Sequence, residues 1–238
     1  KLVVLSVLNG DFMLNNQSIC LLIPALNEGD GLDKVLNTIP DFIDRILIID
    51  SDSTDHTAEV ANNYGADLVN EHRRGYGRAL KTGFEYIKED WIVTLDADGT
   101  YPVAEIKDLV NCAIDNKYLF LSGSRFPLNN HQAMSNRNFL GNLIITWFVD
   151  YFFKTKMIDS CSGMWVINRT CLSHFNLKTD DWSFSIEIKL DAALNHQIGF
   201  HEKPITLTPR IGKTKLVHPW RIGLKILFYL IRKKYFKG

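Results

Sequence analysis

Three apolar runs in this chain each stop at a polar break, and residues of helical spacing lie between them. Ile19-Cys20-Leu21-Leu22-Ile23 ends at Pro24, after which Leu32, Val35, Leu36 and Ile39 recur every three or four residues until Pro40. Ile46-Leu47-Ile48-Ile49 ends at Asp50, and Ser53-Thr54-Asp55 supplies cap chemistry for a helix that carries Val60 and closes near Gly65. Leu80, Phe84 and Ile87 mark a third helix, and Trp91-Ile92-Val93-Thr94-Leu95 then ends at Asp96. Pro102 fits the first turn of a fourth helix bearing Val103, Ile106, Leu109, Val110 and Ala113, ahead of a strand at 118–121. A strand that is apolar at every position is buried on both faces, and helical crossovers make its neighbours parallel. The alternation therefore predicts an α/β fold, a mostly parallel sheet with helices on both faces.

The second half is less regular. Residues 139–153 are strongly apolar and aromatic but fall short of the roughly 20 residues a spanning helix needs, and they include Asp150, so a core or interfacial helix is expected. A short strand at 164–167 and a helix at 183–196, with Ile186, Leu190, Ala193 and Leu194 on one face, follow. A chain of 238 residues fits one large α/β domain with or without a small appendage. Cys20, Cys112, Cys161 and Cys171 form no CxxC pair, which reads as reduced thiols rather than a zinc site or disulfide frame and favours a cytosolic setting. No secretory leader is read ahead of the first strand.

The formal net charge is zero, but its distribution is lopsided. After Glu202 there are ten basic residues and no acid, which leaves an equal surplus of acids in the rest of the chain. A basic tail on an acidic body points to an anionic partner. From Trp220, the residues Leu224, Leu227, Phe228 and Ile231 share one helical stripe, flanked by Arg221, Lys225, Arg232, Lys233 and Lys234. That composition suits a helix lying on an anionic membrane, or an amphipathic core helix with a solvated basic face. Nucleic acid is not expected as a partner, because the prospective crevice is acidic.

Ligands of open parallel sheets bind beyond the carboxyl ends of the strands. There the chain offers Glu28, Asp50, Asp52, Asp96 and Asp98, with neither GxGxxG nor GxxxxGK[ST] after the first strand, which disfavours the dinucleotide and P-loop folds. Asp96 and Asp98 stand one residue apart where a buried strand stops, so on extended backbone both point to one side, and Gly99 permits a sharp exit. Such a pair holds Mg²⁺ or Mn²⁺ whose shell is completed by substrate phosphates, or forms a solvated acidic turn. Acids that grip a metal which in turn grips a diphosphate suit a nucleotide-sugar donor.

Pro24-Ala25-Leu26-Asn27-Glu28, the block from Asp50 to Asp55, the Arg74-Gly75-Tyr76-Gly77-Arg78-Ala79-Leu80 turn and Leu95-Asp96-Ala97-Asp98-Gly99 resemble family-2 glycosyltransferases of the Rossmann-like GT-A fold. The later motifs Ser122 to Phe126, Asn136-Arg137-Asn138, Asp159 to Met164 and Arg210 to Leu216 are most similar to those of polyprenyl-phosphate glycosyltransferases such as the dolichol-phosphate mannose synthases. The resemblance runs from about Ile19 to the C-terminal helix. It implies a catalytic domain over 1–217, with a nucleotide-sugar half at about 19–125 and an acceptor half at about 126–217, followed by a basic amphipathic helix at 218–238.

By that resemblance Pro24, Ala25, Asn27, Glu28 and Asp50 line the nucleotide pocket, with Asp52, Gly75 and Lys81 near it. Asp98 is the principal metal ligand, Asp96 its partner, and Thr100 stands at a third ligand position where the mannose synthases carry Gln. Asp50-Ser51 replaces the family's double Asp. Arg125, Arg137 and Arg210 match positions around the transferred sugar and the lipid phosphate, and a guanidinium fork does hold phosphate bidentately. A phosphate monoester is ionised near neutrality and attacks the anomeric carbon without a general base, inverting configuration. Were the acceptor a hydroxyl, Glu187 would be the candidate base; it reads equally as a helix N-terminal acid stabilised by the dipole. His56 and His72 read as surface or cap residues.

The expected activity is thus metal-dependent inverting transfer of a hexose or N-acetylhexosamine from a GDP- or UDP-sugar to a polyprenyl phosphate, by a protein peripheral to the cytoplasmic side of a membrane. The competing expectations are a soluble phosphorylated or hydroxyl acceptor, a sugar nucleotidyltransferase, or a silent membrane-binding module.

Overall fold

The computed structural model describes residues 16–212 and 219–235. Positions 213–216 of the last motif, and the outer limits of the two expected domains, lie outside them.

Seven strands form one sheet: β1 Ile19–Ala25, β2 Arg45–Asp50, β3 Asp67–Asn70, β4 Trp91–Thr94, β5 Phe120–Ser124, β6 Trp165–Asn168 and β7 Phe200–Pro204. Their order is β3-β2-β1-β4-β6-β5-β7. β1 pairs in parallel with β2 and β4, β2 with β3, and β5 with β7, while β6 runs antiparallel between β4 and β5. The sheet is the mostly parallel GT-A-like one expected, and both strands that the sequence pattern missed, β3 and β7, are its edges.

The continuous apolar character of β1 has a simple cause. Ile19, Leu21 and Ile23 face one layer of helices and Cys20 and Leu22 the other, all with no exposed surface. On the first face lie α1 Gly29–Leu36, α2 Thr57–Asn63 and α4 Ile106–Asp115; on the second, α3 Tyr76–Tyr86 and α6 Phe184–Leu194. Leu32, Val35 and Leu36 of α1 are buried, and each such side chain stabilises by about 1.5–3 kcal/mol. Pro102 precedes a 3₁₀ turn at Val103–Glu105, and α4 begins only at Ile106, so the fourth helix starts later than its proline predicts.

Two further helices form a third core. α5 Asn136–Phe153 starts at Ser135, whose hydroxyl accepts from the Asn138 amide, and α7 Pro219–Tyr235 packs beside it. Val149, Ile186, Leu190, Ile226 and Leu230 are buried between α5, α6 and α7. α7 therefore has two apolar stripes. Ile222, Ile226 and Leu230 turn inward, whereas Trp220, Leu224, Phe228 and Ile231 of the stripe noted in the sequence are exposed, Phe228 by 69%. α5 likewise exposes Leu140, Leu143, Ile144, Trp147 and Tyr151. No helix among the described residues is long and apolar enough to cross a membrane. The four cysteines are free thiols.

Candidate active site

The loops after β1, β2 and β4 open at the carboxyl ends of those strands, as parallel sheets dictate. They wall a cavity of about 280 Å³ lined by Pro24, Ala25, Leu26, Glu28, Ser51, Asp96 and Asp98, and closed by Arg74, Gly75 and Tyr76 at the start of α3. A second cavity, of about 430 Å³, lies alongside. Its polar wall carries Thr100, Arg125, Arg137, Asn138 and Ser185, and its far wall is Ile145 of α5 with Ile222 and Ile226 of α7. Tyr76, Asp96, Asp98, Trp182 and Arg210 belong to both.

The acidic turn is held from several sides. Gly99 adopts φ 71°, the left-handed conformation its sharp exit requires. Gly31 of α1 packs so tightly on the turn that a Cβ there would stand 2.4 Å from the Ala97 carbonyl oxygen. The Thr100 amide and hydroxyl donate to Asp98 Oδ1 at 2.9 and 2.5 Å. Thr100 therefore orients Asp98 through both its amide and its hydroxyl. The segment that carries Arg210 is stitched on by the Ile211 amide to the Asp98 carbonyl, 3.0 Å, and by the Thr208 amide to the Thr100 carbonyl, 2.9 Å.

The residues fit a divalent ion. Asp96 Oδ1 is buried without a hydrogen-bond partner, and burial, reinforced by the charge of Asp98, lifts the Asp96 carboxyl to about 7. Asp98 Oδ2 already carries a cation, the Arg210 guanidinium, which also reaches Glu28. Two carboxylates with one bare oxygen and one oxygen already charge-paired are the donor set of a hard ion that draws its other ligands from phosphates and water. Among the described residues no cage of three or more His, Cys, Asp or Glu side chains replaces that arrangement.

The three arginines differ in ways their motifs do not reveal. Arg125 is locked bidentately to the fully buried Asp159 at 2.7 and 2.8 Å. Burial alone would raise the Asp159 carboxyl, but the charge and hydrogen bonds of Arg125, aided by Lys189, hold it well below the carboxylate range. Arg210 is committed to Asp98 and Glu28. Arg137, at the start of α5, is exposed and makes no ion pair among the described residues, so it is the guanidinium that faces the second cavity unneutralised.

Several expected site residues stand outside both cavities. Asp50 points its carboxylate at the Ser53 amide, 3.0 Å, and at the Ser53 hydroxyl, while Ser51 lines the first cavity in its place. Asp52, at φ 59°, pairs with His72 at 2.8 Å. Asn27 accepts from the Thr54 amide at 2.6 Å and so ties the β1 loop to the β2 loop. Lys81 pairs with Asp180 at 2.6 Å. Glu187 is buried and takes the Lys178 and Thr179 amides at 3.0 and 2.8 Å, and it lines neither cavity. It stands in the first turn of α6. Sequence reasoning missed Trp182, Tyr76 and Tyr101; only Tyr76 fell within a noted motif.

The sequence and the fold are similar to those of known proteins. A dolichyl-phosphate hexose transferase of Haloferax volcanii is 26% identical over 203 residues, covering 83% of this chain and 86% of that protein. A low-salt glycan biosynthesis hexosyltransferase of the same organism is 28% identical over 215 residues, 84% of this chain, and the chain spans 50% of its length. Glucosyl-3-phosphoglycerate synthase of Mycobacterium tuberculosis, crystallised with Mn²⁺, UDP-glucose and phosphoglyceric acid, superposes with a TM-score of 0.73 at 16% identity, covering 92% of this chain and 80% of that one. The family model for glycosyl transferase family 2 matches from residue 20 to residue 175, a stretch that holds β1, both acids of the shared wall and the antiparallel β6, and the chain belongs to that family.

Proposed function

We propose that this glycosyltransferase moves a hexose or N-acetylhexosamine from a nucleoside-diphosphate sugar to a polyprenyl phosphate, with inversion, on an anionic membrane surface. The observation that carries this reading is the pair of cavities that share Asp96, Asp98 and Arg210, the first lined also by Glu28 and Arg74, the second by Arg125, Arg137 and the apolar Ile145 of α5 and Ile222 and Ile226 of α7. The nucleoside diphosphate occupies the first cavity, against Pro24, Ala25, Glu28 and Ser51. A divalent ion held by Asp96 and Asp98 supplies charge neutralisation for the departing diphosphate; the Mn²⁺ named for the mycobacterial enzyme supports that assignment.

Arg137 receives the acceptor phosphate, while Arg125, already paired with Asp159, is a fixed part of the same cavity's lining. The phosphate is ionised at neutral pH and needs no proton removed, which agrees with Glu187 being turned away. The exposed stripes of α5 and α7, with Arg221, Lys225, Arg232 and Lys234 on α7, support docking at the cytoplasmic leaflet, whose surface is anionic. The name of the haloarchaeal dolichyl-phosphate relative supports the same acceptor.

A soluble phosphorylated acceptor is the second reading, favoured by the exposure of Arg137 and by the phosphoglyceric acid of the mycobacterial structure. Incubation with Mn²⁺, polyprenyl phosphate in vesicles and labelled GDP-mannose, UDP-glucose or UDP-N-acetylglucosamine separates the two. Label extracted into organic solvent supports the lipid acceptor. Its absence with all three donors, while the protein binds one of them, rejects it.

A further inference from the structure

A group handed from one cavity to the other must pass the residues common to both. Of those five, Asp96, Asp98 and Arg210 carry charge, and the remaining two are aromatic. Tyr76 and Trp182 stack with ring centroids 4.8 Å apart and planes 13° from parallel, although 106 positions separate them in sequence. Tyr76 lies beside Asp96 and Ser185 at the start of α3. Trp182 is only half-buried and contributes to both cavity walls, so it is not a core residue.

The flat C–H face of a pyranose is apolar and packs on rigid aromatic surface, whereas its hydroxyls seek the polar rim. We propose that Trp182, backed by Tyr76, is the platform on which the transferred sugar ring rests between the leaving diphosphate and the incoming phosphate. This inference rests on the nucleotide-sugar reading above and adds the residue that holds the sugar itself.

The loop that bears Trp182 is built for a fixed position. The Asp180 carbonyl accepts from the Arg78 amide at 3.0 Å, and its carboxylate meets Lys81 at 2.6 Å. At Gly75, φ is 143° and a Cβ would stand 2.2 Å from the Asp180 carbonyl oxygen, so only glycine lets the loop close on α3. Glu187 gathers the Lys178 and Thr179 amides and the Thr179 hydroxyl, the last at 2.6 Å. Asp181 holds the Ser183 amide at 2.8 Å on the other side of Trp182. Gly75, Lys81 and Glu187, which the motifs assigned to donor binding or catalysis, thus become positioning residues that act through Trp182.

The test separates the sugar from the nucleotide. Calorimetry with Mn²⁺ compares UDP with UDP-glucose and GDP with GDP-mannose for wild type, Trp182→Phe, Trp182→Leu and Trp182→Ala. The leucine variant keeps apolar bulk should alanine fail to fold. Trp182→Ala and Trp182→Leu weaken the sugar nucleotide by about 3- to 10-fold while the nucleoside diphosphate stays within about twofold, and Trp182→Phe stays close to wild type. Glu187→Gln shifts the same ratio by less and adds nothing to Trp182→Ala, as coupled residues do. An unchanged ratio, or equal loss of both ligands, overturns the platform alone. Wild-type protein that binds neither sugar nucleotide overturns the donor reading and the platform with it.

Discussion

The two cavities that meet at Asp96 and Asp98 are made of different material. The first is walled mainly by the ends of β1, β2 and β4 and by the start of α3, so its shape follows from backbone pairing deep in the sheet. The second shares strand-end residues such as Asp96, Asp98 and Arg125 but is completed by α5, α7 and the segment around Leu207 and Arg210, elements outside the sheet. Both share Asp96, Asp98 and Arg210; the first adds Glu28 and Arg74, and the second adds Arg125, Arg137 and the isoleucines of α5 and α7. The difference teaches that the sheet itself shapes the first cavity, whereas much of the second depends on helices packed outside it.

The largest expected effect breaks the first cavity. Asp98→Ala removes a carboxylate that takes the Thr100 amide and hydroxyl and the Arg210 guanidinium, so it lowers turnover by about 10³-fold, read as nucleoside diphosphate release, and also lowers the melting temperature, read by thermal unfolding.

The arginines then sharpen the contrast within the second cavity. Arg125→Ala strands Asp159 as a buried charge and costs about 3–5 kcal/mol of stability by urea unfolding. Arg137→Ala leaves the unfolding midpoint unchanged and instead raises the KM for the phosphate acceptor about 10-fold, the measure of a charge that meets only substrate. Equal losses of stability in the two variants would erase the distinction drawn between them.

How legible these regions were in the sequence follows the same division. β1, β2, β4 and their helices were readable because strands buried on both faces must be apolar throughout. β3, with Asp67 and Asn70, and β7, with His201 and Lys203, are sheet edges and bury less, so neither shows such a run. The antiparallel direction of β6 leaves no trace in composition. Asp96 and Asp98 line both cavities just past the strand end where the sequence pattern put them, whereas Asp50, the last residue of β2, turns its carboxylate to Ser53 and leaves Ser51 to line the first cavity. Trp182 sits in a loop without periodicity and gains its meaning only through Tyr76, a contact no local pattern encodes. The second apolar stripe of α7 was hidden for a related reason: a sequence reveals that a helix is apolar, but its partner α5 decides which stripe is covered.

Acidity gives a smaller effect that again picks out the arginine wall. Asp159 is held below its unfolded value, so the stability it confers is complete above about pH 4 and is lost as pH falls toward the lowered folded value. Wild-type protein therefore loses stability on acidification below about pH 4 by a component that Asp159→Asn lacks, measured as urea midpoints across that range. The smallest effect concerns the surface alone: Trp220→Ser with Phe228→Ser reduces binding to anionic vesicles about 10-fold and leaves donor affinity in solution unchanged, by cosedimentation and calorimetry.

The lipid-phosphate acceptor is tested most directly by stoichiometry. Nucleoside diphosphate released by the wild-type protein is counted against sugar recovered in the organic phase, with polyprenyl phosphate and 3-phosphoglycerate supplied in competition. One sugar in the organic phase for each diphosphate released, with Arg137→Ala depressing both together, is the predicted result. Diphosphate release matched by sugar on the soluble phosphate, with none in the organic phase, would contradict it.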